Sequence, residues 1–303
     1  MPLRDRFVLS VPASSANLGP GFDCVGIALD LRARAMVEPA HRFALAFSGP
    51  QQPTHIGFER MLLDAMHTVS SELPRVRVHI FNEIPLGKGL GSSAAASALG
   101  ITIAARAHGI ALSRDEIADR VCELEGHPDN ALPAVYGGIA IAASSRASIK
   151  LPAPRELRAI VVVPDFDLAT ERARALLPAH YDRADAVFNI QRAALLGAAL
   201  ASGRWSALRD AMRDRIHHPY REAVIPGLAD ALRVDAPGVL GIALSGAGPS
   251  VLALVHEKAP WRPIAAAMQA AFERAGITSR SYRLALAARG LVQRRYLTER
   301  KAA

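Results

Sequence analysis

The stretch from Ile84 to Ala96 carries residue types suited to phosphate chemistry. Gly87, Gly89 and Gly91 alternate with Lys88 and Leu90 after Pro85 and Leu86, and Ser92, Ser93 and Ala94 follow. Glycine at alternate positions lets the backbone take positive φ and removes the Cβ atoms that would keep a ligand away. The two serines stand where a helix N-cap belongs. The free N–H groups and dipole at the start of a helix make a ready anion site, and Lys88 adds a charge beside it. The chemistry indicated is the cradling of a phosphate; the alternative is a purely structural glycine turn. A Walker A loop is excluded, because no Gly-Lys-Ser/Thr follows four spacer residues. The dinucleotide fingerprint is excluded too: the third glycine comes too early, and no acidic residue ends a second strand about twenty positions on.

The loop needs a strand before it and a helix after it. Val76 to Phe81 alternates and is rich in β-formers, which predicts a strand. The Ala-rich run to about Ala107 predicts a helix. Upstream, Phe7–Val11 reads as a strand and Pro12–Cys24 as a loop by its Pro, Gly, Asn and Ser content. Strands are expected over Val25–Leu31, Ala33–Glu38 and Arg42–Phe47, and a helix over Phe58–Val69. Ser113-Arg114-Asp115-Glu116 is a capping box that opens a helix to about Leu124. The prolines of Gly126–Pro133 predict a loop, and Tyr136–Ala143 a strand. Pro152 and Pro154 mark the best boundary, giving domains 1–153 and 154–303. Beyond it, strands are expected over 157–163, 239–244, 251–256 and 279–286, and helices over 170–177, 185–201, 205–214, 221–233 and 263–275. Strands and helices mixed in both halves suggest an α+β fold.

Composition narrows the class. The 303 residues are half hydrophobic, enough for a sizeable core, and contain no uncharged apolar run long enough to span a membrane. The first residues lack a signal-peptide core. Cys24 and Cys122 give neither a disulfide framework nor a metal pattern, so a cytoplasmic chain with free thiols and no membrane partner is expected. The net charge of +8 permits nucleic-acid binding. The arginines are spread along the chain rather than clustered, however, which points to solvated surface and a site for small anions.

Pro85-x-x-x-Gly89-Leu90-Gly91-Ser92-Ser93-Ala94 resembles the ATP-binding motif of the GHMP kinases. Pro12-Ala13-Ser14-Ser15-Ala16-Asn17-Leu18-Gly19-Pro20-Gly21-Phe22-Asp23 resembles the first motif of the homoserine kinases within that superfamily. Glu125-Gly126-His127-Pro128-Asp129-Asn130, Thr170-x-x-x-Arg174, His217-His218-Pro219-Tyr220-Arg221 and Ser245-Gly246-Ala247-Gly248-Pro249-Ser250 match further family segments in the family's order. The resemblance implies a two-domain GHMP kinase fold, with an N-terminal domain like domain 2 of ribosomal protein S5 and a ferredoxin-like C-terminal domain. It implies ATP and Mg²⁺ as cofactors, L-homoserine as small-molecule substrate, no nucleic-acid partner and a possible homodimer.

The same resemblance implies roles for particular residues. Residues 85–94 would hold ATP, and Ser93 and Glu125 the Mg²⁺. Asp23 would meet the substrate ammonium, Arg174 and Arg221 its carboxylate, and Asn17, Asn130, Thr170 and Gly246 would complete the substrate site. Asn17, Asn130 and Lys88 are the candidates closest to the reaction. Each has a plainer alternative. Asn17 and Asp23 could simply stabilise a turn, Glu125 could be a solvated helix tail, and either arginine could be ordinary surface. His127 reads as loop packing rather than a base. Asn130 stands where mevalonate kinase and galactokinase relatives carry an aspartate base, so no side-chain base is assigned. Two other functions stay open: a sister kinase for another small alcohol such as L-threonine, and a non-enzymatic RNA-binding protein. Ile56-Gly57-Phe58-Glu59-Arg60 departs from relatives with an adenine-pocket Asn before this helix, so the base site is unassigned.

Overall fold

The computed structural model describes residues 5–51 and 57–295. The first four residues, where no leader is expected, and Ile56 lie outside the described residues. The first half forms strands β1 (Phe7–Asn17), β2 (Gly21–Pro39) and β3 (Ala44–Ser48), then helix α1 (Gly57–His67), β4 (Val76–Asn82), α2 (Ser92–Ala107), α3 (Arg114–Glu125), α4 (Pro128–Tyr136), β5 (Ile139–Ala142) and β6 (Ser148–Leu151). The second half forms β7 (Leu157–Pro164), α5 (Thr170–Ala175), α6 (Arg183–Ser202), a 3₁₀ turn at Trp205–Ala207, α7 (Leu208–Ala211), α8 (His218–Glu222), α9 (Leu228–Leu232), β8 (Val239–Leu244), β9 (Val251–His256), α10 (Trp261–Arg274), β10 (Ser279–Ala285) and β11 (Val292–Arg295).

The strands make two sheets. One runs β11-β1-β2-β4-β3, with β5 attached to β2 and β6 to β5, and the other runs β10-β7-β9-β8 with all pairs antiparallel. The second sheet, with its β-α-β-β-α-β order, is the expected ferredoxin-like arrangement. Its central strands β7 and β9 are buried on both faces, and their side chains alternate. Leu157, Ala159, Val161 and Val163 of β7 join the large core shared with the first sheet, whereas Ile160 and Val162 join a second core under α9 and α10. One apolar core therefore spans both halves. The last strand also crosses back: β11 pairs with β1, Phe7 opposite Arg295 and Ser10 opposite Val292.

Helix α2 lies at the centre of the first half and is buried almost all round. Its alanines let neighbours approach closely, and at Gly100 a side chain would overlap the Leu62 carbonyl of α1. Helix α3 opens with the expected capping box, Ser113 accepting from the Glu116 N–H at 3.2 Å and Glu116 accepting from the Ser113 N–H at 2.7 Å.

The structure corrects several local expectations. Residues 12–17 continue β1 rather than forming a loop, paired with β2 through two register shifts; the small residues there pack against both loop and sheet. Residues 25–38 are one strand. The segment 126–133 is not a loop but largely helix α4. Pro128 sits at its first position, where a missing N–H is no loss. Pro133 leaves the Asp129 carbonyl without a helical donor, and a Cβ at Gly26 of β2 would overlap that carbonyl. The expected helix 221–233 is two short ones, α8 and α9, broken at Pro226-Gly227. Strands β6 and β11 were not anticipated.

Candidate active site

Three loops meet at the N-terminus of α2. Ser14 N–H donates to the Leu90 carbonyl at 3.1 Å, and Gly246 N–H to the Ala16 carbonyl at 3.1 Å. Ser245 Oγ donates to the Gly89 carbonyl at 2.6 Å and lies 2.8 Å from Ser15 Oγ. These bonds stitch the end of β1, the glycine loop and the β8–β9 loop into one floor. Gly87, Gly89 and Gly91 all have positive φ, as their types predicted. The helix N-cap is Gly91 in the left-handed conformation, not a serine; Ser92 and Ser93 occupy the first turn. A Cβ at Gly91 would overlap the Ser14 hydroxyl, whereas one at Gly87 would meet nothing within 4 Å. Gly91 is thus required by packing and Gly87 leaves open space.

Ser93 and Glu125 come together across 32 residues. Ser93 Oγ donates to Glu125 Oε1 at 2.7 Å, and Ser97 Oγ, one turn on, lies 3.5 Å away. Burial pushes the Glu125 carboxyl above its ordinary range, and the Ser93 hydrogen bond only partly opposes this. A half-buried carboxylate beside two hydroxyls is a donor set that fits a hard divalent ion.

Asn130 links this end of the cleft to the next. Its Oδ1 accepts from Ser14 Oγ at 2.8 Å, and its Nδ2 has only a 3.5 Å contact with Asp129 Oδ1. Asp129 is held by the His127 ring. Burial disfavours a charged imidazole, yet the Asp129 hydrogen bond and charge keep His127 above its ordinary value. Asp23, His127 and Asp129 present ligand atoms within 4.8 Å of one another. Arg174 completes this end, its two terminal nitrogens donating to the two Asp23 oxygens at 2.7 and 3.0 Å. So the carboxylate and guanidinium expected to meet a substrate meet each other.

Asn17 has both ends of its amide engaged. Nδ2 donates to the Gly246 carbonyl and Oδ1 accepts from the Asp23 N–H, each at 3.0 Å. With Asn17, Leu18 and Asp23 all at positive φ, it fixes the strained turn that presents Asp23. Lys88 does not point freely along the glycine loop. Its ammonium donates to the Phe166 carbonyl at 2.9 Å and to Asp167 at 2.7 Å, in the connection before α5. Thr170 is exposed in the first turn of α5. Gly246, at positive φ beside Gly89, supplies a carbonyl that Asn17 and Arg221 both use.

Arg221 is buried to 1% exposure. Its Nη1 donates to the Gly246 carbonyl and to His217 Nδ1, both at 3.0 Å, and its Nε has no partner. Burial, with Arg174 next, pushes the guanidinium down to about 10. The Phe22 ring lies 5.6 Å from the Arg174 guanidinium and 5.7 Å from that of Arg221, bridging the two cations.

Sequence reasoning missed Ser14, Ser15, Phe22, His217 and Asp214 as site-builders, read His127 as loop packing and left Asp129 without a role. Asp214 accepts from the backbone N–H groups of His217 and His218 at 2.8 and 2.7 Å and from Asn189 at 2.7 Å. The Asp–x–x–His–His spacing was a usable signal. Ser14 and Ser15 carried none, since nothing about a serine in a small-residue run shows which loop it will touch.

Comparison with known proteins follows the same lines. A family model described as the GHMP kinases N terminal domain matches residues 59–138, and one described as GHMP kinases C terminal matches residues 196–274. The chain is 46% identical over 256 residues to a homoserine kinase of Solibacter usitatus, covering 81% of this chain and 84% of that one. It is 38% identical over 290 residues to a homoserine kinase of Desulfitobacterium hafniense, covering 92% and 97%. Among solved structures, homoserine kinase from Cytophaga hutchinsonii superposes with a TM-score of 0.81 at 26% identity, covering 97% and 99% of the chains. The L. major mevalonate kinase superposes at 0.69 and 16% identity, a likeness of fold alone.

Proposed function

The chain belongs to the homoserine kinases of the GHMP kinase superfamily, and we propose that the cleft described above is where it transfers the γ-phosphoryl group of ATP to the side-chain hydroxyl of L-homoserine. The observation that carries this is one row of neighbouring polar groups. It leads from the N-terminus of α2, through Ser14 and Asn130, to Asp129 and His127, with Asp23 within 4.8 Å of these two and Arg174 paired to it. A phosphate site at one end and paired opposite charges at the other suit a zwitterion that carries a hydroxyl.

The residues divide the work as follows. The carboxylate of homoserine pairs with Arg174 and with the free side of Arg221, and its ammonium with Asp23, so the substrate replaces an existing ion pair charge for charge. The N–H groups of the first turn of α2, with Gly87 leaving room, hold the phosphates. Ser93 and Glu125 are the residues that would hold Mg²⁺. When bound, the ion supplies charge neutralisation at the phosphates. Asn130 Nδ2, with its weak protein contact, is placed to orient the substrate hydroxyl. That oxygen bonds to the γ-phosphorus as the bond to the bridging oxygen breaks, and ADP leaves.

No side chain takes the proton. Asp23 is taken up by the substrate ammonium, Asp129 is engaged by His127 and Glu125 by Ser93. The proton ends on an oxygen of the transferred phosphoryl group, and catalysis rests on orientation and charge. The chain works in the cytoplasm on a small metabolite and its product feeds threonine formation; among the described residues no helix is long and apolar enough to cross a membrane.

The test is ADP release in the presence of L-homoserine, L-threonine and mevalonate, with nucleic-acid retention on filters at about 0.15 M salt as the control for the RNA-binding alternative. Homoserine-dependent turnover at least tenfold above that with the other alcohols is expected. Equal turnover with threonine would move the chain to a different small-alcohol specificity.

A further inference from the structure

We propose that His217 is the positioning residue of the substrate site, an uncharged imidazole that holds the Arg221 guanidinium and the Asn17–Asp23 turn in fixed relation. This inference rests on the assignment of Arg221 to the substrate carboxylate. His217 is fully buried. An arginine only donates, so His217 Nδ1 accepts from Arg221 Nη1, and the ring proton sits on Nε2, where it donates to the Gly19 carbonyl at 2.8 Å. Gly19 belongs to the turn that presents Phe22 and Asp23. The Phe22 ring centroid lies 5.3 Å from that of His217.

The post itself is anchored from behind. Asp214 accepts the backbone N–H groups of His217 and His218, and His218 Nε2 accepts from the Leu244 N–H at 3.2 Å, one residue before the Ser245–Ser250 loop. Both hydrogens of Arg221 Nη1 are consumed, by His217 and by the Gly246 carbonyl. Only the Nη2 and Nε side of the guanidinium is left for a ligand, so the two acceptors dictate which edge faces the substrate. A protonated His217 could not accept this bond and would repel the guanidinium. Burial, then the adjacent His218, push the ring down to about 3, which keeps it neutral at working pH.

The two hydrogen bonds can be separated by substitution. Asn at 217 offers an amide oxygen near the Nδ1 position and so keeps an acceptor for Arg221. Gln offers an N–H near the Nε2 position and so keeps the Gly19 bond. His217→Gln should raise KM for homoserine about 10- to 100-fold, the range for losing a hydrogen bond to a charged group, with KM for ATP changed less than about threefold. His217→Asn should raise it at least about fivefold less than His217→Gln does. In an Arg221→Ala background the additional effect of His217→Gln should fall below about threefold. Equal effects of Asn and Gln, a parallel rise in KM for ATP, or an undiminished effect without Arg221 would each overturn the proposal.

A measurement on the unaltered protein stands beside these if a variant fails to fold. In ¹⁵N-labelled protein, His217 should show a protonated Nε2 and an accepting Nδ1, unchanged from pH 8 to pH 5. A proton on Nδ1, or titration within that range, would also overturn it. Absence of homoserine turnover in the wild type would instead count against the substrate assignment and leave the nitrogen signals to judge the hydrogen bonds.

Discussion

At the scale of single residues, the site holds charge in two contrasting ways. Glu125 is half-buried against hydroxyls with its pKa raised, so its ionised form is a cost to the metal-free protein. A carboxyl raised in the folded state adds stability below its unfolded pKa and loses that contribution as pH rises through the folded value. Glu125→Gln should therefore leave the metal-free protein at pH 7 as stable as the wild type or more so, while kcat falls more than about a hundredfold through loss of the cation site. Thermal unfolding without Mg²⁺ and steady-state kinetics with it make the check; a variant that melts lower yet turns over normally would remove Glu125 from metal binding. Asp23 and Arg174 are the opposite case, a satisfied pair that the substrate must split. Asp23→Asn should raise KM for homoserine about 30-fold or more. It should also narrow the preference for homoserine over 4-hydroxybutanoate, which lacks the ammonium, because that ligand no longer strands a carboxylate. Competitive saturation kinetics with both alcohols read this ratio, and an unchanged ratio would show that Asp23 does not select the ammonium.

At the scale of elements, the glycine loop and its helix were legible because each local signal agreed: alternating β-formers, glycines at positive φ, then alanines. The α3 capping box was legible for the same reason. Helix α4 was not, because its two prolines outweigh any local signal for a helix. It holds through tertiary contact, with Gly26 making room for the carbonyl that Pro133 cannot serve. The polar residues of the site were legible by type but not by partner. Arg174 could be promoted as a substrate contact, but nothing in the linear order shows that it meets Asp23, or that Lys88 turns toward Asp167. This last contact decides a role. Asp167 is 93% exposed, so the ion pair itself is worth under about 1 kcal/mol. Lys88→Met should lower kcat less than about tenfold and raise both KM values a few-fold, as expected for a tie between the phosphate loop and the connection before α5. A hundredfold fall in kcat with unchanged KM values would return Lys88 to the phosphoryl group. Gly87 is the position at which to probe the nucleotide: Gly87→Ala costs about 1 to 2 kcal/mol in backbone conformation but strikes no protein atom, so weakened ATP binding by calorimetry in a folded variant reports ligand space. Gly91 cannot be read this way, since any side chain there strikes Ser14.

At the scale of the whole molecule, the two sheets are distinct yet one core runs between them, and a single cooperative unfolding transition is expected in calorimetry; two resolved transitions would show the halves to be independent. Arg32 ties the ends of the fold together. It donates to Ser10 on β1 and to the carbonyls of Arg289 and Gly290 just ahead of β11. Arg32→Met should cost about 1 to 3 kcal/mol of stability by stranding the Gly290 carbonyl, with kinetic constants near wild type in denaturant-free buffer; a variant of unchanged stability would mean the ends are held by β-pairing alone. That returning strand has a further consequence for how the protein is made. Among the described strands β1 leaves the ribosome ahead of the others and β11 after them, so for the roughly 15 to 60 s that synthesis of the intervening chain takes, the outer edge of β1 has no partner. An open edge is a template for pairing with other chains. The first sheet, although encoded early, is completed only when residues 292–295 arrive, and the phosphate loop and substrate turn that it supports mature together only then.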